Sequence, residues 1–363
     1  MKINFNNNNA TFTGMGARPL RGLFMTSNLD GIATEIKNLT PQTGLKVYSL
    51  DNNINVVTEG FRENINKILT WSQDLFSFTK NKLFIDTEYT PAQTEAKKIG
   101  IKLAEFFGIK YEPQTHHLQG GNYILNETGK TRDIFVGRYD TQELSASAIA
   151  RSFDADNVFE IPQAAAHIDA FMFVDGRKVY ICDDNLMLNG IKKGIKNIET
   201  LLYTDPKSRT KTLIELYVKL LKISDDFECI SKLSPYEKTE PTINAIEKAG
   251  YEAIRIPARL YGFIKSRHHL QHIYGTNFAN AILHKNPNGE TVLLTNESSN
   301  DVALGIDKKM ESMINFSFKK IFLDALSPHI KKENIHFIKG NNNSVGKLLS
   351  NLGGIHCSSA EIP

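Results

Sequence analysis

Residues 82–113 read KLFIDTEYTPAQTEAKKIGIKLAEFFGIKYEP, and this stretch holds a whole strand–helix–strand unit. Leu83 to Ile85 begin as a strand. Thr90 then caps a helix, with Pro91 in its first turn and Gln93 three residues after the cap, the arrangement of a capping box. Ala96, Ile99, Leu103 and Phe107 recur at helical spacing and give one apolar face. Gly108 stops the helix and a short strand follows.

The unit returns. Residues 290–326, ETVLLTNESSNDVALGIDKKMESMINFSFKKIFLDAL, read as strand, polar loop, helix and strand. Residues 241–263, PTINAIEKAGYEAIRIPARLYGF, read as a helix closed by Gly250 and followed by a strand. Such repetition predicts an α/β architecture of repeated modules. No Pro/Ser/Gly-rich linker divides them, so residues 1–363 are expected to form one domain. Residues 1–70 either complete the first module or form an extra lid.

Composition excludes several classes of function. The 43 basic and 40 acidic residues leave a net charge of +3, too balanced to argue for nucleic acid or a membrane surface as partner. No run approaches the roughly 18 apolar residues that span a bilayer. The opening MKINFNNNNATFTG has no apolar signal core. The three cysteines, Cys182, Cys229 and Cys357, cannot all pair and fit no zinc spacing. A reducing compartment, the cytoplasm, is the expectation.

Cys357 lies in LGGIHCSSAEIP, residues 352–363. A thiol with an ordinary pKa of about 8.5 is a poor nucleophile at neutral pH unless its thiolate is stabilised or its proton removed. His356 is a weak choice of base, because neighbours in extended chain point to opposite sides. His167 and Asp169 are better placed, in IPQAAAHIDAFMFVDGRKVYICDD at 161–184. On a strand, positions two apart face the same way, so imidazole and carboxylate project together. Cys182 alternates inward on a strand and Cys229 lies on an amphipathic helix, both readings of structural thiols. His268, His269 and His272 have helical metal-ligand spacing, but no cysteine or carboxylate completes a site, so no metal is expected there.

Two more stretches complete a pattern. LTWSQDLFSF at 69–78 carries Trp71 three residues before Asp74 on a strand, and LQGGNYIL at 118–125 places Gly120, Gly121 and Asn122 at a strand entry. Together the WxxD, GGN, HxD and C-terminal GG-x-HC elements, in that order, resemble the guanidine-modifying superfamily with the pentein fold. That superfamily includes protein-arginine, arginine and agmatine deiminases and the amidinotransferases. The resemblance spans residue 70 to the end. NFANAIL at 277–283 resembles its aromatic-x-Asn strand and places Asn280 near the site. The HC…EIP ending is most like agmatine deiminases, whereas WSQD looks more like peptidyl-arginine deiminases.

The resemblance implies a pentein α/β-propeller of five ββαβ modules with the active site at its central pore. It implies Cys357 as nucleophile and His167 as acid and base. Asp74 and Asp169 are the carboxylates that grip a guanidinium, a planar cation with five donors. Trp71, Gln119, Asn122 and Asn280 line the substrate. No organic cofactor is implied. Calcium dependence stays open, since some peptidyl-arginine deiminases need the ion, although no EF-hand loop is visible.

Gln119 departs from the pattern, because arginine and agmatine deiminases usually carry an acid there. The loss of a carboxylate shifts the expected substrate toward arginine in a protein or peptide, with citrulline as product. Agmatine, free arginine and amidinotransfer remain alternatives. So does a pentein binding module without catalysis. A cysteine protease of His–Asp–Cys order is the rival enzyme class, but HxD suits substrate binding better than a triad.

Overall fold

A computed structural model of the chain describes residues 20, 22–25, 31–49, 72, 76–78, 82–85, 91–113, 120–128, 131–138, 145–165, 167–231, 239–265, 270–298, 308–341, 345, 348–349 and 354–362. Within these lie five three-stranded sheets and a two-stranded hairpin.

The expected unit at 82–113 is there. Strand β4 (Lys82–Ile85) leads to a helix over Pro91–Phe107, and Gly108 ends it at φ 65° before β5 (Lys110–Pro113). The preceding β3 (Phe76–Phe78) pairs antiparallel with β4, and β5 pairs parallel with it. A right-handed crossover through a helix is what lets a third strand lie parallel to the second.

The same pattern of one antiparallel and one parallel pairing occurs four more times. Strands β6 (Tyr123–Thr128), β7 (Thr131–Gly137) and β8 (Asn157–Ile161) form one sheet. Strands β9 (Met172–Asp175), β10 (Lys178–Cys182) and β11 (Glu252–Ile256) form the next. The hairpin β12 (Arg259–Lys265) and β13 (Leu270–Asn277) follows. Strands β14 (Ile282–Lys285), β15 (Thr291–Asn296) and β16 (Ile335–Ile338) then form a sheet with the helix Lys308–Leu326 between its last two strands. The remaining sheet joins the two ends of the chain. Strand β1 (Gly22–Met25) pairs parallel with β2 (Lys46–Ser49) and antiparallel with β17 (Ser359–Ile362).

Neighbouring sheets touch in sequence. Phe24 meets Phe76 edge to face at 5.5 Å, and Tyr123 donates to Ser77. Asn126 Nδ2 donates to the carbonyl of Gly176 and to Tyr251 at 3.0 and 3.1 Å. Lys285 reaches Asp175 at 3.1 Å. The sheet of β14–β16 returns to the first through His284, which is 3% exposed. Its Nδ1 accepts the amide of Leu20 at 3.0 Å. Nε2 must therefore carry the ring proton of the neutral form, and it donates to the carbonyl of Thr43 at 2.9 Å.

Several local expectations are corrected. Ser72, the one described residue between Trp71 and Asp74, is helical and buried, and the described strand of this stretch is Phe76–Phe78. His272 lies on β13 and not on a helix; His268 and His269 lie outside the described residues. Among the described residues no group of three or more His, Cys, Asp or Glu could hold a metal ion. Cys182 ends β10 fully buried, and burial pushes its thiol pKa up, the state of an inert thiol. Cys229 lies within the helix Lys211–Ser231. No helix among the described residues is long and apolar enough to cross a membrane.

Candidate active site

Cys357 stands in the turn Ile355–Ser358, two residues before β17. The amides of that turn are held by side chains from another module. Asn296, at the end of β15, accepts the amide of Ile355 at 2.9 Å. Asn280 Oδ1 accepts the amides of His356 and Cys357 at 3.1 and 3.3 Å. Asn280 is itself fixed: the carbonyl end of Asn277 accepts its amide at 3.3 Å, and Asn296 Nδ2 donates to its carbonyl at 3.0 Å. All three asparagines are buried. Each bond made here removes a desolvation cost of about 1–3 kcal/mol for an orphaned polar group. Gly354 makes the approach possible, since a Cβ there would stand 2.5 Å from Asn280 Oδ1 and 2.6 Å from Asn296 Nδ2.

Asp169 arrives from the segment between β8 and β9. One oxygen is crowded: Oδ2 accepts from Asn280 Nδ2 at 2.8 Å, His356 Nδ1 at 3.0 Å and the Cys357 thiol at 3.2 Å. Asn280 Nδ2 also reaches Cys357 Sγ at 3.0 Å. The other oxygen, Oδ1, is buried and finds no hydrogen-bond partner among the described residues. A buried carboxylate oxygen left in this state calls for a donor.

His167 and Asp169 do not lie on a strand as expected. Residues Ile168–Ala170 form a 3₁₀ turn with His167 at its N-cap, drawn tight by Ala170 and Phe171 amides bonding back to His167 and Ile168 at 3.3 and 3.1 Å. Burial of Ile168 and Phe171 in the core favours the turn, because both side chains then point inward. The two polar groups still converge. A Cβ on Gly121 would stand 2.5 Å from His167 Nδ1 and 3.0 Å from Asp169 Oδ1, so glycine at 121 leaves the room both occupy.

Asn122 lies in the 3₁₀ turn Gly120–Asn122, and its Oδ1 accepts from Gln163 Nε2 at 2.9 Å. That bond ties the Gly120–Gly121 turn to the chain leading into His167. Trp71, Asp74 and Gln119 lie outside the described residues.

The sequence makes His356 a weak choice of base on the premise of extended chain, and the structure overturns that premise. Residues 355–358 turn, which brings His356 and Cys357 to the same oxygen of Asp169. The imidazole is buried between Asp169 and Glu361, with Nε2 3.8 Å from Glu361 Oε1. Burial alone would lower its pKa, but the hydrogen bond and charge of Asp169, with the charge of Glu361, raise it above the usual value. Asn277 and Asn296 went unnoticed in the sequence, whereas Glu361, which the sequence leaves either orienting the terminal loop or solvated, is buried on β17 beside His356.

No protein-family model matches this chain, and no curated protein matches it in sequence. Solved structures do resemble it. A protein assigned as an agmatine deiminase matches 97% of this chain and 96% of its own, with 12% identity and a TM-score of 0.45. One assigned as an arginine deiminase, from Porphyromonas gingivalis, matches 97% and 98%, with 12% identity and a TM-score of 0.46. A DDAH from Pseudomonas aeruginosa, solved with citrulline, matches 95% and 100%, with 8% identity and a TM-score of 0.42. What the chain does is read from the residues around Cys357.

Proposed function

We propose that the chain is a cysteine-dependent deiminase that hydrolyses a guanidine group and releases ammonia. The observation that carries this reading is Asp169: one oxygen holds the Cys357 thiol at 3.2 Å, and the other is buried without a hydrogen-bond partner among the described residues. A guanidinium fits that demand, since its fork of N–H donors can bind the open oxygen and so bring its central carbon beside the sulfur.

In this reading Cys357 attacks the guanidinium carbon as thiolate and forms a tetrahedral adduct. His167 gives a proton to the departing nitrogen, and ammonia leaves behind an S-alkylthiouronium. A water, deprotonated by His167, then adds to that carbon, the C–S bond breaks, and the thiolate returns with a ureido product. Asp74 is the second carboxylate of the grip. Trp71, Gln119 and Asn122 complete the substrate surface. Asn280 steadies the sulfur through its 3.0 Å contact.

The five sheets form a closed α/β-propeller of pentein type; contacts from each sheet to the next, and through His284 back to the first, support this. The buried free thiols Cys182 and Cys357 favour the cytoplasm. No organic cofactor is needed.

The substrate is arginine within a protein or peptide. Gln119 supports this choice, because it leaves one carboxylate fewer to hold a free amino acid or a second amine. A panel of free arginine, agmatine and a blocked arginine peptide tests it, read by ammonia release and by a mass gain of about 1 Da on the peptide, as exchange of NH for O requires. The peptide should turn over fastest. Faster turnover of agmatine overturns the substrate and keeps the chemistry; inertness toward all three overturns the deiminase reading.

A further inference from the structure

We propose that His356 is a positioning residue which, held between Asp169 and Glu361, sets the pH at which Cys357 becomes a thiolate. The proposal rests on the deiminase reading for its purpose, but not for its test.

Four buried titratable groups form one set among the described residues. Asp169 comes from the 3₁₀ turn and Glu361 from β17, and Cys357 shares the turn with His356. Asp169 and Glu361 are the charged groups that face the imidazole among the described residues. His356 Nδ1 sits 3.0 Å from Asp169 Oδ2, and Cys357 Sγ sits 3.2 Å from that same atom. With both carboxylates ionised and the thiol neutral, an imidazolium brings the set to a net charge of −1. Ionising the thiol then takes it to −2. With a neutral imidazole, the same step runs from −2 to −3, in a site where water screens little.

His356 therefore acts in two ways. Its Nδ1–H competes with the thiol for Asp169 Oδ2, which weakens the hold of the carboxylate on the S–H. Its positive charge offsets the sulfur anion. Glu361 supports both, because an acid beside Nε2 favours the protonated ring. Asn280 links the elements: its Oδ1 fixes the His356 and Cys357 amides, and its Nδ2 bonds Asp169. The geometry that holds the nucleophile thus also holds the cation.

The test is the pH dependence of Cys357 alkylation by iodoacetamide, which requires no substrate and leaves the identity of the guanidine aside. Peptide mapping reports the Cys357 adduct separately from Cys182 and Cys229. His356→Gln should move the alkylation midpoint up by at least one pH unit, a tenfold slower reaction at neutral pH. An unchanged midpoint in the folded variant overturns the proposal. If His356→Gln does not fold, Glu361→Gln and the wild type decide the matter by NMR titration of the His356 ring. The ring should titrate above 6.5 in the wild type and lower in Glu361→Gln. A ring that titrates at the same pH in both overturns it as well.

Discussion

Asp169 Oδ2 lies 3.2 Å from Cys357 Sγ, although 188 residues separate the two in sequence. The carboxylate rides on a tight turn after β8 and the sulfur on a turn before β17. Asn280, from a third segment, spans both turns. The site is a junction of modules.

Removing the sulfur should end turnover. Cys357→Ala is expected to bring ammonia release to background while the far-ultraviolet dichroism stays unchanged. Asp169→Asn should retain Cys357 but lose at least a hundredfold in kcat/KM, since a neutral amide grips a cation poorly. Turnover that survives in Cys357→Ala would exclude a covalent intermediate.

Asn280 makes a structural as well as a chemical contribution. Asn280→Ala strips the amides of His356 and Cys357 of their acceptor, and both are buried. The expected loss is about 2–4 kcal/mol in urea unfolding, as follows from leaving more than one buried donor unpaired. Asn280→Asp keeps an acceptor for both amides but sets a carboxylate oxygen where Nδ2 now donates to Asp169, so it should not restore wild-type stability.

Gly354→Ala is a steric test. The new methyl would meet Asn280 Oδ1 at 2.5 Å and Asn296 Nδ2 at 2.6 Å, so the turn must shift. A cost of about 1–3 kcal/mol is expected from overpacking. Cys357 alkylation should change at the same time. A variant with wild-type melting and wild-type alkylation would show that the turn has slack.

Acidity gives a fourth test. The folded-state pKa of His356 is raised above 6.5. A raised pKa means the folded state holds the proton more tightly, so the stability it contributes is complete below that unfolded value. It is lost as pH rises through the folded value. The stability difference between wild type and His356→Gln should therefore be greatest in mild acid, while the carboxylates stay ionised, and should shrink above neutrality. Urea midpoints taken at half-unit intervals read it directly.

His284→Leu tests the contact between the last sheet and the first. It leaves the Leu20 amide and the Thr43 carbonyl without their ring partner. Urea unfolding should report a loss of about 2–4 kcal/mol, and a loss below 0.5 kcal/mol would mean that this contact carries little.

The modules were legible where local chemistry alone sets them. Pro91 at the helix start, the periodic face through Leu103 and the glycine at 108 suffice for residues 91–113. The pairing of β1 with β17 was not legible, because register between strands so distant is decided by packing rather than by neighbours. HxD shows how a right convergence can follow from a wrong element: His167 and Asp169 meet at Gly121 through a 3₁₀ turn, not a strand. His356 was missed for the same reason in reverse. An assumed extended chain sent it away from the sulfur, and a turn fixed by Asn280 and Asn296 brings it back. Tertiary hydrogen bonds shaped that turn, and none of them has a sequence pattern of its own.

The sheet that joins β1 to β17 also orders events in time. A chain is made from its N-terminus, so β1 exists long before the strand that completes its antiparallel edge. Until β17 is released, β1 and β2 present an open edge, and Asn280 and Asn296 have no turn to hold. The sulfur and its imidazole neighbour enter together with that closing strand. Newly made protein thus brings Cys357 to Asn280 and Asp169 only once its first sheet is closed, and a shortened chain lacking β17 would lose the sheet edge and Glu361 in one stroke.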